Sequence, residues 1–187
     1  LVWNPYDCSE LGESLEEIGN YAFSYCNKLT TFDSLKSVKY IGDSAFYQVK
    51  LTELDLTSLI TIGEQGFSCS TMTKVTLGNN FESAGNNAFY FTKNYAELYY
   101  LGELNDWVSM EFVNSYSNPA YKADKIYYNG QTGMEVTITA KELRPFSLYC
   151  ADVSKITLSD DVEVIGKYAL ARTKATEIVL GSGVKEV

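Results

Sequence analysis

One six-residue phrase, Ile-Gly-x-x-Ala-Phe, returns along the chain and constrains its fold more than any other feature. The phenylalanines that close its first four copies lie 23, 21 and 22 residues apart. A near-constant period of this size is typical of repeat proteins, because one repeat buries its apolar face only when the next repeat stacks on it. The copies, with some variation in sequence, occupy residues 18–23, 41–46, 62–67, 84–89 and 165–170.

A short alternating segment stands before the phrase in most repeats. Residues 53–56 (Glu-Leu-Asp-Leu) and 74–77 (Lys-Val-Thr-Leu) are clear examples, and residues 30–33 are a weaker copy. Alternation of this kind predicts a half-buried strand, so the stacked strands should form one parallel sheet along the molecule. The phrase itself is expected to form a single helical or 3₁₀ turn. The strands would supply two core rows: Leu54, Val75, Val136, Ile156 and Ile178 in one, and Leu56, Leu77, Ile138, Leu158 and Leu180 in the other.

The period breaks once, between residues 101 and 133. Leu98 and Val136, which stand at equivalent strand positions, are 38 residues apart instead of about 22. The Asn129-Gly130 pair is a strong signal for a two-residue hairpin turn. We therefore expect one domain over residues 1–187, with repeats at about 1–100 and 134–187 and an ordered insertion at about 101–133. Because the repeat pattern stops at Val187, where the next phrase should begin, we expect the chain to be a fragment of a longer protein.

Composition and charge argue against several classes of function. The formal net charge is −9, and no basic patch is present, which argues against nucleic acid and anionic membrane surfaces as partners. No apolar run is long enough to span a membrane. The sequence has no histidine, so triads that use imidazole as the base are excluded. No phosphate-binding loop or calcium loop is present. The carboxylate pairs that could serve a glycosidase are Asp160 with Asp161, Glu16 with Glu17, and Glu53 with Asp55, and such neighbours in sequence mostly point apart. We predict no enzyme, no cofactor and no metal.

The four cysteines have two interpretations. Three of them follow the phenylalanine of a phrase, at a place where other copies carry Val49 or Thr173. A position that accepts Cys, Val and Thr is typical of a small core slot, which predicts free thiols, while a disulfide between neighbouring coils stays open. The cysteines are Cys8, Cys26, Cys69 and Cys150.

The phrase and its flanks resemble the BspA-like leucine-rich repeat family of bacterial secreted and surface proteins. The clearest copy runs over residues 18–29, Ile-Gly-Asn-Tyr-Ala-Phe-Ser-Tyr-Cys-Asn-Lys-Leu. The insertion is also similar to one found in bacterial members. The resemblance implies an α/β-type repeat solenoid: a right-handed leucine-rich repeat stack with a parallel β-sheet on one face, short helical or 3₁₀ turns opposite, and one inserted segment that contains a hairpin. Residues of the insertion that carry it are Tyr100, Gly102, Asp106, Trp107, Phe112, Asn118, Pro119, Tyr128, Asn129 and Gly130.

The same resemblance implies secretion or a place on the cell surface, with adhesion or host-protein binding in some members. We predict a non-catalytic, monomeric adhesion or protein-interaction module. Its partner would be a host or matrix protein, or a glycan. A carbohydrate-binding accessory module and a structural spacer of a larger surface protein are the alternatives.

Binding is expected along the outward side of the strands, because a parallel stack displays its non-core residues there in columns. The family carries no fixed binding motif, so these positions come from the strand pattern alone. Trp107 of the insertion is included, although large aromatic residues usually fill cores, which favours a packing role for it. The candidate surface comprises Glu53, Asp55, Lys74, Thr76, Tyr99, Glu135, Thr137, Lys155, Thr157 and Trp107.

Overall fold

A computed structural model describes residues 14–68, 71–90 and 93–187. The chain winds into a solenoid of parallel strands with about seven turns and little helix, which confirms the predicted leucine-rich repeat type of fold. The helical elements are α1 (Leu104–Trp107) and two 3₁₀ segments, Asp33–Ser37 and Pro119–Lys122. The strands in chain order are β1 (Glu17–Ile18), β2 (Tyr40–Ile41), β3 (Glu53–Leu56), β4 (Thr61–Ile62), β5 (Lys74–Leu77), β6 (Ser83–Ala84), β7 (Tyr95–Tyr100), β8 (Glu111–Phe112), β9 (Ala123–Tyr128), β10 (Met134–Ile138), β11 (Glu142–Leu143), β12 (Val153–Leu158), β13 (Val164–Ile165) and β14 (Glu177–Val179).

The longer strands form two sheets, where the sequence predicts one. A four-stranded sheet has the order β3-β5-β7-β9, and a three-stranded sheet has the order β10-β12-β14. The chain leaves the first sheet at a tight turn in which Asn129 and Gly130 both have positive φ, 44° and 76°. The new edge strand β10 then lies beside α1. There the Asn105 side chain donates to the Thr137 carbonyl (3.0 Å) and accepts from the Thr139 N–H (2.9 Å), as a neighbouring strand would.

The segment 101–133 is a diverged coil of the stack. Its strand β8 pairs with β6, and its strand β9 pairs with β7 in a register that sets Leu98 beside Ile126. The predicted turn at Asn129-Gly130 is present, with one antiparallel bridge between Tyr128 and Gln131. Both flanking strands nevertheless pair with other coils, β9 with β7 and β10 with β12. The break in period therefore marks a lengthened coil followed by the start of a second sheet.

Each phrase places its phenylalanine in a column of rings along the core. Phe23, Phe46, Phe67 and Phe89 stack in sequence with centroid separations of 5.3, 5.0 and 6.3 Å. Instead of the expected helical turn, the second variable residue of the phrase takes a left-handed conformation, as at Ser44 (φ 53°). This geometry turns alternate N–H groups towards the next coil, where Phe46 N–H donates to the Gly66 carbonyl (2.9 Å).

The phrase glycines permit close contact between coils. A Cβ atom built on Gly63 would lie 2.7 Å from the backbone nitrogen of Asp43 in the preceding coil. The positive φ angles in these turns belong to the residue two places later, such as Gln65 (φ 53°). Glycine permits either a positive φ angle or the close approach of a neighbouring coil, and the glycines of the phrase serve the second purpose.

Three predicted core positions and one predicted strand differ in the structure. Ile178 and Leu180 are 42% and 55% exposed, because they lie in and directly after β14, the last strand of the three-stranded sheet, where only one neighbouring coil covers them. Val136, on β10, is half-buried. Residues 30–33 form no strand, and the 3₁₀ segment Asp33–Ser37 begins at the end of that copy. The other residues of the two predicted rows are buried.

Candidate interaction surface

The outward side of the four-stranded sheet carries two columns of side chains. They are set by the pairing of β3, β5, β7 and β9, because alternate residues of a strand point to opposite faces. Each column has one residue from each strand. The first column is Glu53, Lys74, Glu97 and Lys125, and the second is Asp55, Thr76, Tyr99 and Tyr127.

The first column alternates in charge at every step. Unlike charges on neighbouring strands attract, and the alternation leaves the column without net charge. The three-stranded sheet repeats the pattern with Glu135, Lys155 and Glu177, where Lys155 Nζ lies 3.0 Å from Glu177 Oε1. The hydrogen bond to Glu177 raises the pKa of Lys155.

Two tyrosines and two lysines form a layered stack on the four-stranded sheet. The rings of Tyr99 and Tyr127 are 4.6 Å apart and nearly parallel, with an angle of 3° between them. Lys74 Nζ lies 5.0 Å from the Tyr99 ring centroid, and Lys125 Nζ lies 5.1 Å from that of Tyr127. The Tyr99 hydroxyl donates to Glu97 Oε2 at 2.9 Å. Together with Glu97, the two tyrosines and two lysines are called the tyrosine stack.

The Tyr99 hydroxyl should titrate at unusually high pH. Its hydrogen bond to Glu97 is the largest cause that raises the pKa of Tyr99 from 10.0 to about 12. Glu97→Gln removes the carboxylate, so we expect the pKa of Tyr99 to fall towards 10, as read from its ring carbon NMR shifts against pH. Glu53 lies in the same column as Glu97 but two strands away from Tyr99, so Glu53→Gln should leave the pKa of Tyr99 unchanged. An equal fall of this pKa in both variants would contradict the role given to Glu97.

Raised tyrosine pKa values also determine how the stability of the fold changes at alkaline pH. Burial is the main cause that raises the pKa of Tyr100 to about 12. A group with a raised pKa in the folded state contributes stability below the unfolded value near 10, and that contribution is lost as the pH rises from 10 to 12. We expect the urea midpoint, followed by circular dichroism, to fall over this window as absorbance at 295 nm rises. A midpoint that stays level up to pH 12 would contradict this.

The structure divides the predicted surface between the four-stranded and the three-stranded sheet. Glu53, Asp55, Lys74, Thr76 and Tyr99 lie together on the four-stranded sheet. The predicted residues of the second group lie on the three-stranded sheet, which the turn at residues 129–130 separates from the first: Glu135, Thr137, Lys155 and Thr157.

The prediction of Trp107 as a surface residue is wrong. Its side chain is fully buried, and its indole N–H donates to the Ser147 carbonyl at 2.7 Å. Tyr100, Phe112 and Tyr128 surround the ring at centroid distances of 5.1, 5.6 and 5.7 Å. Trp107 therefore joins the 101–133 coil to the coil that follows it. It has the packing role that the size of its side chain favours.

Three residues of the tyrosine stack were not in the predicted surface: Glu97, Lys125 and Tyr127. Lys125 and Tyr127 fall in the segment that was predicted to be an insertion, outside the repeats. A signal for them is present in the sequence, because residues 97–100 (Glu-Leu-Tyr-Tyr) and 125–128 (Lys-Ile-Tyr-Tyr) share one pattern 28 residues apart. Comparing the insertion with the repeats by strand pattern, rather than by period, finds the match.

A cavity of about 390 Å³ lies beside α1 and is lined by Tyr100, Asp106, Glu111 and Arg144, among others. Arg144 forms an ion pair with Glu111 across it. The Tyr100 hydroxyl is buried and has no hydrogen-bond partner among the described residues. Within the same part of the chain, no group of three or more acidic or thiol side chains is arranged to hold a metal ion.

Cys26 and Cys150 are free thiols, as predicted for this slot. Burial raises the pKa of the Cys150 thiol, although Arg172 and Lys174 oppose the effect. Cys8 and Cys69 lie outside the described residues, so four free thiols remain the expected result of a titration under denaturing, non-reducing conditions.

Among the described residues, no helix combines the length and the apolar character needed to cross a membrane.

Comparison with known proteins gives a family and no individual relative. A family model described as "BspA type Leucine rich repeat region" matches six copies over residues 7–118 and 125–187. No curated protein and no solved structure matches. Repeats of this type indicate a protein-interaction or surface repeat module, and proteins of the family are generally secreted or at the surface. The matched ranges cover nearly the whole chain, including most of the lengthened coil, and the chain belongs to the BspA-type leucine-rich repeat family.

Proposed function

We propose that the chain is a non-catalytic adhesion module of a secreted or cell-surface protein, and that it binds a protein partner through its four-stranded sheet. The tyrosine stack is the observation that carries this proposal. Tyrosine is enriched at the energetic centres of protein interfaces, because a rigid aromatic body and a hydroxyl gain contact area at low cost in conformational entropy.

The layering of the stack favours a protein partner over a sugar at this sheet. One face of the Tyr99 ring lies against Tyr127, and a lysine lies over each ring of the pair. A sugar ring that stacks on an aromatic residue needs a free ring face. The pair instead offers ring edges and hydroxyl groups beside an alternating row of charges, which suits the mixed polar and apolar contacts of a protein interface.

The charge and composition support the remaining parts of the proposal. A net charge of −9 disfavours nucleic acid and anionic membranes as ligands, and the absence of histidine removes the commonest general base. We propose that the module acts as a monomer and requires no cofactor. The partner is a host or matrix protein.

Binding to a panel of purified extracellular-matrix proteins, measured by surface plasmon resonance, tests the proposal. We expect Tyr127→Ala to weaken binding to the matrix protein that the panel identifies at least about tenfold, the loss typical of a residue at the centre of an interface. Tyr40→Ala is the matched control, because Tyr40 is 45% exposed on the short strand β2, away from the four-stranded sheet, and it should change binding less than twofold.

Other outcomes would overturn the proposal in distinct ways. If no matrix protein binds, the chain is better described as a structural spacer. If a glycan array gives binding that Tyr99→Ala abolishes while the fold is kept, the sheet belongs to a carbohydrate-binding module. Turnover on a panel of glycosides would make the chain an enzyme.

A further inference from the structure

A second aromatic surface lies beside the phrase turns and shares no residue with the tyrosine stack. Tyr90, Tyr116, Tyr121 and Tyr149 follow one another at centroid distances of 4.9, 5.1 and 5.6 Å. The row continues through Phe146, 6.0 Å from Tyr149, to Tyr168, 5.4 Å from Phe146. We call these six residues the tyrosine ridge.

The ridge crosses four successive coils and is open to solvent along its length. Tyr90, Tyr116, Tyr121 and Tyr149 are half-buried, and Tyr168 is 56% exposed. At the spacing of about 4.8 Å between neighbouring strands, four coils span roughly 15 Å, which is the length of a short oligosaccharide.

Three cations lie against the rings of the ridge. Arg172 lies 5.4 Å from the Tyr121 centroid and 6.0 Å from that of Tyr149. Lys122 lies 4.8 Å from Tyr121, and Lys167 lies 5.4 Å from Tyr168. Each distance is within the range in which a cation is attracted to the face of an aromatic ring.

None of these three cations forms an ion pair with another described residue. Other cations of this acidic chain do so: Lys39 with Glu16, Lys155 with Glu177, and Lys174 with Asp152. The groups that raise the pKa of Arg172 are Tyr149, Cys150 and Tyr121, and no carboxylate is among them. In a chain of net charge −9, a row of cations without carboxylate partners is complementary to an anion from outside.

We infer that the tyrosine ridge binds an acidic glycan. The polarised C–H groups of its sugar rings would contact the electron-rich faces of the tyrosines, which meet their neighbours in the ridge edge-on or tilted instead of face to face. Its carboxylate or sulfate groups would bind Arg172, whose planar guanidinium can donate two parallel hydrogen bonds to such an oxyanion, with Lys122 and Lys167 on either side. A glycan uses both the ring row and the cations, whereas an acidic peptide would use the cations alone. This inference concerns residues other than the tyrosine stack and stands independently of the proposed protein binding.

Isothermal titration of the whole chain with four probes of matched length tests the inference. The probes are a sulfated heparin-derived hexasaccharide, a galacturonic acid hexasaccharide, neutral maltohexaose and hexaglutamate. We expect saturable binding of at least one acidic oligosaccharide, at least about tenfold tighter than maltohexaose or hexaglutamate. The better of the two acidic probes identifies sulfate or carboxylate as the recognised group.

A double substitution on each face provides the matched comparison. Arg172→Gln with Lys167→Gln should weaken binding at least about tenfold. Lys74→Gln with Lys125→Gln removes the two lysines that lie over the tyrosine rings of the four-stranded sheet. This double variant should change the affinity for the acidic oligosaccharide less than twofold. Glutamine is suited to position 172 (φ 60°), because Gln48 and Gln65 already adopt that left-handed backbone. The melting temperatures of both double variants verify that the fold is kept.

Three results would overturn the inference. The first is the absence of saturable binding by either acidic oligosaccharide. The second is equal loss of binding in the two double variants, which would indicate a general charge effect. The third is hexaglutamate binding as tightly as the acidic sugars, which would indicate an acidic peptide. Because the probes alone discriminate, the wild-type chain decides the question even if the ridge variant fails to fold.

Discussion

Trp107→Ala is expected to cost about 3–5 kcal/mol of unfolding free energy, the range for removing a fully buried large aromatic residue. The substitution removes the contacts with Tyr100, Phe112 and Tyr128 and the hydrogen bond to the Ser147 carbonyl. Since that bond joins two coils, the damage falls on the interface that holds the lengthened coil to the rest of the stack. Urea denaturation followed by circular dichroism measures the loss.

Two further substitutions separate packing from hydrogen bonding at this position. Trp107→Phe keeps an aromatic ring but leaves the carbonyl without the indole donor, so we expect a smaller loss of about 1–3 kcal/mol. Val113→Ala lies in the same coil at a side chain that is 62% exposed, and should stay within about 0.5 kcal/mol of wild type. A loss below about 1 kcal/mol for Trp107→Ala would contradict its role as a junction, given the usual cost of such a cavity.

Gly63→Ala is expected to destabilise the chain by about 3 kcal/mol, the upper part of the usual range for overpacking. The added Cβ would lie 2.7 Å from the Asp43 backbone nitrogen and 2.8 Å from the Gly42 carbonyl carbon. Backbone atoms cannot rotate out of the way as a side chain can, so relief requires the two coils to separate. Thermal and urea unfolding should both show the loss.

Gly19→Ala is the matched control for this effect. Gly19 holds the same place in the first phrase, but a Cβ atom there would meet no atom of the described residues within 4 Å. We expect this variant to be neutral or slightly stabilised, by up to about 1 kcal/mol, because alanine restricts the unfolded chain. Equal effects at positions 19 and 63 would show that the glycines serve backbone conformation instead of the contact between coils.

The core of the regular coils could be predicted from the sequence because it depends on local patterns. Alternation fixes which side of a strand faces inward, so Leu54, Leu56 and Val75 were assigned correctly and are buried. The same argument failed at Ile178, since burial there also requires a covering coil, and no pattern within one strand reports its neighbour. The phrase glycines offered two roles, and only the distance between coils in three dimensions decided between them.

The candidate surface, like the core, could be predicted from local patterns only in part. The strand pattern placed Tyr99 and Lys74 on the outward side, but the partner ring of Tyr99 comes from Tyr127, 28 residues later in a coil of irregular length. The tyrosine ridge draws its residues from four coils, and its three cations form no ion pair with the described residues. Contacts of this kind depend on register between coils, which the spacing of one repeat does not fix when the next is lengthened.

The sequence by itself determined that this chain is a stack of repeats, because a repeated phrase of fixed period can bury its apolar residues only by stacking. The wording of that phrase added the resemblance to the BspA-like leucine-rich repeat family. The tertiary structure decided that the lengthened segment is a coil of that stack, that the longer strands form two sheets instead of one, and that Trp107 lies inside. These features depend on which strand edges meet and which side chains reach across coils. Hydrogen bonding and packing between distant residues settle them, and local sequence preference does not.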